Sequence, residues 1–182
     1  MEQTLYLECY SGISGDMTVA ALLDLGADEA VLRQVLDSLP VQGFRIEINR
    51  VMKSGIDACD FNVILEGNDN HDHDMEYLYG HLHHGEHTDS HTHEHQHTHS
   101  HAHRGMREIR EIIEKGDMTE GARRLALSIF SILAEAESKA HHVPVEEVHF
   151  HEVGAVDSIV DIVAVAVCLD NLNIKNVIVP EL

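Results

Sequence analysis

An almost uninterrupted apolar segment near the end of the chain constrains the fold more than any other feature. The segment VDSIVDIVAVAVCLDNL, residues 156–172, predicts a helix that is buried on most sides. Asp157 and Asp161 interrupt it, and because they are four residues apart they lie on one face of that helix. Buried carboxylates are costly when unpaired, so these two predict a metal ion, another cation or hydrogen-bond donors beside the helix.

Shorter patterns predict the rest of the fold. Strand patterns alternate with helical ones, which indicates an α/β or α+β domain in which helices cover a small mixed sheet. The predicted strands are TLYLEC at 4–9, FRIEINRV at 44–51, DFNVILEG at 60–67 and NVIV at 176–179, with KSGIDAC at 53–59 joining the middle pair. The other predicted elements are helices at 16–26, 29–39, 105–116 and 122–142, with Ser14, Asp28 and Thr119 as N-caps, and an extended piece at 145–155.

The segment from about residue 68 to residue 104 has a different composition. It holds 13 of the 17 histidines, mixed with acidic and small polar residues and with almost no aliphatic side chains. We expect it to be disordered, because it cannot bury enough apolar surface to offset the entropy lost on ordering. The chain is therefore predicted to be a single domain, residues 1–182, interrupted by a flexible histidine-rich insertion.

Charge and cysteine usage exclude several classes of protein. The 32 acidic and 12 basic residues give a formal charge of -20, which repels phosphate backbones and disfavours nucleic acid as a partner. Cys9, Cys59 and Cys168 are far apart and form no CxxC pair, which favours a reducing cytoplasm over a disulfide framework. The sequence shows no signal-peptide pattern and no apolar run of membrane-spanning length, so we expect a cytoplasmic protein without a membrane partner.

The motif SGISGDM, residues 11–17, is the first candidate site. A glycine-rich turn that leaves a strand and enters a helix directs backbone N–H groups toward one point, which suits a phosphate or a carboxylate. Asp16 in the first helical turn would either compete with that anion or bind a cation beside it. The alternative is a tight turn in which Gly12 and Gly15 only permit unusual backbone angles.

The motif VHFHEVGAVDSIVDIV, residues 148–163, is the second candidate. In an extended backbone His149 and His151 point to one side while Phe150 points to the core, and Glu152 follows directly. Together with the two aspartates of the helix, these side chains suit Ni, Zn, Mn or Fe. The alternative is that the histidines lie on a surface strand and Asp157 caps the helix, although capping does not explain the aspartate one turn further on.

The histidine run is the third candidate. Neutral imidazole binds Ni, Cu, Zn and Co, but catalysis needs ligands held far more rigidly than a disordered segment allows, which favours metal storage or delivery. The alternative is a solvated insertion with incidental metal affinity. The histidines expected to store metal are His91, His93, His95, His97, His99, His101 and His103.

Several of these motifs resemble the LarC family of nickel insertion proteins. The shared motifs are SGISGDM with ALLDLG behind it, a histidine-rich insertion closing in HAHR, IFSILAEAE, and EVHFHEVGAVDSIVDIV. The resemblance runs across nearly the whole chain and corresponds to the N-terminal half of a full-length member. The chain departs from the family pattern at Glu8, where Asp is expected, at Tyr10, where Phe or Pro is usual, and at AHH in 140–142, where VHG is common.

The resemblance implies a reaction. Members of the family insert Ni²⁺ into pyridinium-3,5-bisthiocarboxylic acid mononucleotide, in a CTP-dependent cyclometallation that forms nickel–sulfur and nickel–carbon bonds. The product is the nickel-pincer nucleotide cofactor of lactate racemase. CTP and its divalent cation are associated with the C-terminal half, which this sequence lacks and which is therefore an expected partner. The chain is then part of a nickel-inserting lyase, and self-association is left open.

Both lines of reasoning predict a nickel-handling domain. Mobile histidines capture Ni²⁺, and an ordered site around the second motif receives it. Asp16 joins that site if the N-terminal strand lies beside the HFHE strand. A non-catalytic nickel store or metallochaperone is the alternative, and a metal-dependent hydrolase is a weaker one. The residues assigned to catalysis are Asp16, Asp157 and Asp161, those assigned to the nucleotide are Ser11, Gly12, Ser14 and Gly15, and the ordered metal ligands are His149, His151, Glu152 and Asp157.

Overall fold

The computed structural model describes residues 3–66, 104–150 and 154–180. The predicted histidine-rich insertion lies outside these ranges. The described helices are α1 Gly15–Asp24, α2 Glu29–Ser38, α3 Met106–Lys115, α4 Glu120–His141 and α5 Val156–Asn171. The described strands are β1 Gln3–Tyr6, β2 Phe44–Lys53, β3 Ile56–Leu65, β4 Arg104–Gly105, β5 His149–Phe150 and β6 Ile174–Ile178.

Helix α5 lies at the centre of the domain, as its sequence predicts. Its buried side chains are Ile159, Val160, Val163, Ala164, Ala166, Val167 and Cys168. Helices α1, α2 and α4, the strand β3 and the strand β6 all contact it. Because this helix is apolar on nearly every side, it can stay dry only in the middle of the domain, and the other elements pack around it.

Capping residues begin two of the helices at the predicted positions. The Asp28 side chain accepts hydrogen bonds from the backbone N–H groups of Ala30 and Val31, and the Thr119 side chain accepts one from Ala122. At the other end of α4, His142 adopts a left-handed conformation with φ of 55°. This conformation favours glycine, so the family's usual glycine suits this helix end better than the histidine found here.

The predicted strand pair is an antiparallel hairpin, but its turn is shorter than predicted. Strands β2 and β3 pair from Phe44 opposite Leu65 to Lys53 opposite Ile56. Only Ser54 and Gly55 lie between them, both with positive φ, so the prediction of a seven-residue connection at 53–59 was wrong. Two consecutive residues with positive φ form the turn that matches the twist of a hairpin.

The region between α4 and α5 also differs from its prediction. A short 3₁₀ turn at Val145–Glu147 begins the piece that was expected to be extended, and only His149 and Phe150 form strand β5 there. Strand β5 pairs with β4, an unpredicted strand of two residues. Phe150 is buried as predicted, with its ring 6.0 Å from that of Phe130 at an interplanar angle of 65°.

The mixed helix-and-strand architecture is confirmed, with the described strands divided among three two-stranded sheets. Strand β1 pairs in parallel with β6, whereas β2–β3 and β4–β5 are antiparallel. In the described ranges, no helix combines the length and apolar character needed to cross a membrane.

Candidate functional site

The first turn of α1 meets the N-terminal half of α5 at unusually short range. A Cβ atom on Gly15 would lie 2.7 Å from Asp161 Cβ and 2.8 Å from Asp161 Cγ. Real Cβ atoms do not approach that closely, so only glycine fits at this position. The glycine of the SGISGD motif therefore allows α1 to approach the face of α5 that carries the carboxylates.

This close approach places three carboxylates together. Asp16 lies in the first turn of α1, Asp157 in the first turn of α5, and Asp161 one turn further along α5. Burial raises the pKa of Asp161 to about 7, the negative charges of Asp16 and then Asp157 add to the rise, and the backbone N–H of Asp16 offsets part of it. Near neutral pH, this carboxyl group therefore holds its proton about half of the time.

Two oxygen atoms of the cluster are buried without a partner. Asp157 Oδ1 and Asp161 Oδ1 accept no hydrogen bond from any described residue. A buried carboxylate oxygen without a donor or a cation is destabilising, and native structures usually satisfy such groups. We therefore expect these two oxygens to face a ligand in the working protein.

The carboxylates do not form a complete metal site by themselves. Within residues 3–66, 104–150 and 154–180, no three His, Cys, Asp or Glu side chains are arranged to hold a metal ion. His151 and Glu152 were predicted to contribute ligands, and both lie outside the described residues. The seven histidines of the predicted store, from His91 to His103, lie outside them as well.

The turn before α1 is also exposed at the site. Gly12 has a positive φ of 87°, and its N–H donates to the Cys9 carbonyl at 3.0 Å. Ser14 occupies the N-cap position, but its side chain makes no capping hydrogen bond, so that part of the prediction was wrong. Its hydroxyl instead donates to the Asp16 carboxylate, which also accepts the N–H of Met17 at 2.8 Å. The carboxylate of Asp16 therefore takes part of the hydrogen-bonding capacity that an anion would need.

Asp16 lies in the cluster because of a packing contact that was not predicted. The prediction required the N-terminal strand to lie beside the HFHE strand, and this pairing is wrong, because β1 pairs with β6 and β5 pairs with β4. Packing of α1 on α5 brings Asp16 to the cluster instead.

His149, by contrast, is exposed on β5, opposite Gly105. No hydrogen bond or ion pair joins it to the three aspartates. Among the described members of the predicted site, the structure therefore brings together the aspartates and Gly15, and it shows no direct bond between them and His149.

Among the described residues, Arg104 lies near the site and was missed by the sequence reasoning. Its guanidinium group donates to the Gly154 carbonyl at 2.9 Å, two residues before α5 begins. It also lies opposite Phe150 in the β4–β5 pair. A single arginine at the end of an acidic, histidine-rich tract was the available signal, and it was interpreted only as the boundary of that tract. Arg104 fixes the end of the histidine-rich segment beside the loop that enters α5.

Comparison with known sequences identifies proteins of the same kind. A family model described as nickel insertion protein matches residues 5–182. No solved structure matches the chain. Because the matched region includes all three aspartates and both candidate motifs, the similarity covers the whole site.

Several curated relatives are named pyridinium-3,5-bisthiocarboxylic acid mononucleotide nickel insertion protein. The chain is 52% identical to the one from Alkaliphilus metalliredigens over 182 residues, which is 100% of this chain and 40% of that protein. It is 48% identical to the one from Clostridium acetobutylicum over 176 residues, 96% of this chain and 42% of that protein. With the protein from Geobacillus kaustophilus it shares 41% identity over 176 residues, 96% of this chain and 37% of that protein. The chain thus spans about two fifths of the length of these relatives.

Proposed function

The chain belongs to the nickel insertion protein family, and from this membership we propose that it is the nickel-handling, N-terminal part of a protein that inserts Ni²⁺ into pyridinium-3,5-bisthiocarboxylic acid mononucleotide. The name of the relatives supports both this substrate and nickel as the inserted metal. Because the chain spans only about two fifths of those relatives, the complete activity is proposed for the whole protein, with residues 1–182 acting as one domain of it.

The observation that carries the proposal is the pair of buried, unpartnered oxygens on α5. Asp157 and Asp161 present them beside Asp16, on a helix that is otherwise apolar. A divalent cation beside Asp157 supplies the missing electrostatic partner for these two oxygens. In this proposal the cluster receives nickel, and His149, His151 and Glu152 provide further nitrogen and oxygen ligands, which Ni²⁺ accepts.

The cluster also suits the proton transfer that nickel–carbon bond formation requires. When nickel replaces hydrogen on a ring carbon, the nickel–carbon bond forms, the carbon–hydrogen bond breaks, and a proton must leave. A carboxylate whose pKa lies near the working pH is an effective acceptor for that proton. Asp161, with its pKa raised to about 7, fits this role, while Asp16 and Asp157 keep its basicity high. The protein is then a nickel-inserting lyase.

The nucleotide is assigned to the turn before α1. Ser11, Gly12, Ser14 and Gly15 form an exposed or half-exposed loop whose backbone can approach a phosphate closely. The Ser14 hydroxyl already donates its hydrogen bond to Asp16, so it is not available to a phosphate. The phosphate therefore lies against the loop backbone rather than at the first helical turn. This arrangement places the substrate beside the carboxylates that hold the metal.

The histidine-rich segment supplies the metal in this proposal. Its imidazoles, including those of His91 to His103, collect Ni²⁺. The segment joins the described domain at Arg104, which is bonded to Gly154 at the entrance to α5. CTP, its divalent cation and the rest of the catalytic machinery are assigned to the remaining part of the family protein. We assign the reaction to the cytoplasm, because three free cysteines suit a reducing compartment.

Nickel titration tests the proposal. Calorimetry on the chain and on a variant lacking residues 70–103 is expected to show a loss of binding capacity but the retention of one tight site. Combining Asp157→Asn with Asp161→Asn is expected to weaken that site by about tenfold or more, because two anionic ligands become neutral. Asp37→Asn, an exposed aspartate of α2, is the matched control and should leave it unchanged.

Two outcomes would distinguish a domain that receives nickel at the aspartate cluster from a protein that only stores nickel. If removal of residues 70–103 abolishes all tight binding, the ordered domain receives no metal. If the Asp157→Asn change, made at the corresponding position of a full-length relative, leaves cofactor formation at its normal rate, the cluster plays no part in the reaction. Either result would favour a metallochaperone whose histidines alone carry nickel.

A further inference from the structure

The two-stranded sheet formed by β1 and β6 is unusually exposed for its type. Both strands run in the same direction, with Leu5 opposite Val177 and Tyr6 opposite Ile178. Parallel sheets are normally covered on both faces, and a pair of strands alone is marginally stable in water. Nearly every residue of these two strands is exposed in this chain.

One face of this sheet contacts the domain, although Val177 on that face is still 47% exposed, and the other face is open. Leu5 packs against the core. Tyr6 and Ile178 lie on the opposite face, because successive residues of a strand alternate in direction. They are 52% and 50% exposed. Two neighbouring large apolar side chains on one open face mark an interaction surface. We call Tyr6 and Ile178 the open sheet face.

The length of the relatives indicates what covers this face. The chain matches the N-terminal part of proteins of which it spans 37–42%, so more than half of each relative lies beyond the matched region. In those proteins the remaining chain continues from the strand that corresponds to β6. Because β1 and β6 are parallel, β6 ends on the same side of the sheet as β1, where the SGISGD turn begins. The Leu7 N–H donates to the Ile178 carbonyl at 2.9 Å and holds the two ends together.

We propose that the open sheet face is the docking surface for the C-terminal portion of the full-length family protein. That portion covers Tyr6 and Ile178 with apolar side chains and adds a strand to an open edge of the sheet. Docking there brings it to the carboxyl ends of β1 and β6, beside the turn that precedes Asp16. The proposal rests on family membership and on the exposed sheet, and it is independent of the nickel chemistry.

Hydrogen–deuterium exchange tests this docking. This chain is compared with a chimera in which it is followed, in one polypeptide, by the portion of the Alkaliphilus metalliredigens relative beyond the matched region. We expect amides of β1 and β6 to exchange at least tenfold more slowly in the chimera, with no change in the β2–β3 hairpin. Equal exchange of β1 and β6 in both proteins would overturn the proposal.

Substitutions locate the contact. Combining Tyr6→Lys with Ile178→Lys in the chimera is expected to remove the added protection, whereas Ile132→Lys, at an exposed apolar residue of α4, should preserve it. Unchanged exchange in the hairpin shows that each variant is folded. If the chain alone dimerises in sedimentation velocity and the same double variant abolishes the dimer, a second copy occupies the face and the proposal is wrong. A chimera with protected strands that makes no cofactor would refute the proposed function and leave the docking intact.

Discussion

The two ends of helix α1 present aspartates in opposite environments. At the C-terminal end, Asp24 Oδ2 accepts the backbone N–H of Cys59 at 2.9 Å, and its other oxygen accepts a hydrogen bond from Arg50. These contacts, with the Cys59 N–H as the largest contribution and Arg50 next, lower the pKa of Asp24. Arg50 also bonds Asp57, so the hairpin and the helix share one ion-pair network. These carboxylates are fully partnered and serve the fold.

At the N-terminal end, the carboxylates meet other carboxylates. Asp16 faces Asp157 and Asp161, two of whose oxygens are buried without a partner among the described residues. Among the described residues, no arginine pairs with Asp161, whereas Arg50 pairs with Asp24 at the other end. The difference separates a carboxylate that stabilises the domain from a cluster for which we propose a ligand.

A substitution at the contact between α1 and α5 is expected to have the largest effect on stability. Gly15→Ala should destabilise the chain by about 2–3 kcal/mol, because the added methyl group meets Asp161 Cβ, which cannot move without shifting α5. Urea denaturation measures the change in the free energy of unfolding. The same variant should also weaken nickel binding, since α1 and Asp16 move away from α5.

Gly121→Ala is the matched control. Gly121 lies in the first turn of α4 and also faces an aspartate of α5. A Cβ there meets the carboxylate end of Asp170, which can rotate away if it gives up its exposed hydrogen bond from Thr119. Alanine is the better helix former, so we expect a change within about 1 kcal/mol. Equal destabilisation by the two variants would show that the contact between Gly15 and Asp161 is no tighter than the one between Gly121 and Asp170.

Local signals in the sequence predicted most of the fold. The burial of α5, the caps at Asp28 and Thr119, and the hairpin partners follow from patterns a few residues long. The two-residue turn at Ser54 and Gly55 was missed because the polar residues Lys53 and Asp57 on either side interrupt the apolar alternation, although both belong to the paired strands. The pairing of β1 with β6 joins the two ends of the chain, and no local pattern specifies a contact at that separation.

The site was predictable in its parts but not in its assembly. The spacing of Asp157 and Asp161 places them on one helix face, and this holds in the structure. Asp16 joins them only because Gly15 lets two helices touch, which a sequence pattern cannot indicate without the packing. Arg104 was missed for the same reason, since its partner Gly154 is 50 residues away.

The pH dependence of stability sharpens the comparison between the two ends of α1. The raised pKa of Asp161 means that the folded chain binds this proton more tightly than the unfolded chain does. Its contribution is therefore complete below about pH 4 and is lost as pH rises through about 7. We expect Asp161→Asn to recover about 1–2 kcal/mol between pH 5 and pH 8, less than the full shift implies because the cluster is partly open to water.

Urea denaturation of both chains at pH 5 and pH 8 measures this recovery. The difference between them isolates Asp161, because every other titratable group is the same in both chains. Asp37→Asn should reproduce the pH dependence of the original chain. Parallel pH profiles for the original chain and Asp161→Asn would mean that this carboxyl group titrates normally and that the cluster is not electrostatically strained.

The smallest expected effect has the opposite sign and comes from the other end of the helix. Because the pKa of Asp24 is lowered, its contribution is present above about pH 4 and is lost as pH falls further. Asp24→Asn should therefore reduce stability slightly at neutral pH and flatten the loss on acidification, as followed by urea midpoints between pH 3 and pH 7. Nickel affinity should not change, since Asp24 is bonded to the hairpin and not to the cluster. An altered nickel affinity would mean that the two ends of α1 are coupled and that the separation between structural and ligand-binding carboxylates does not hold.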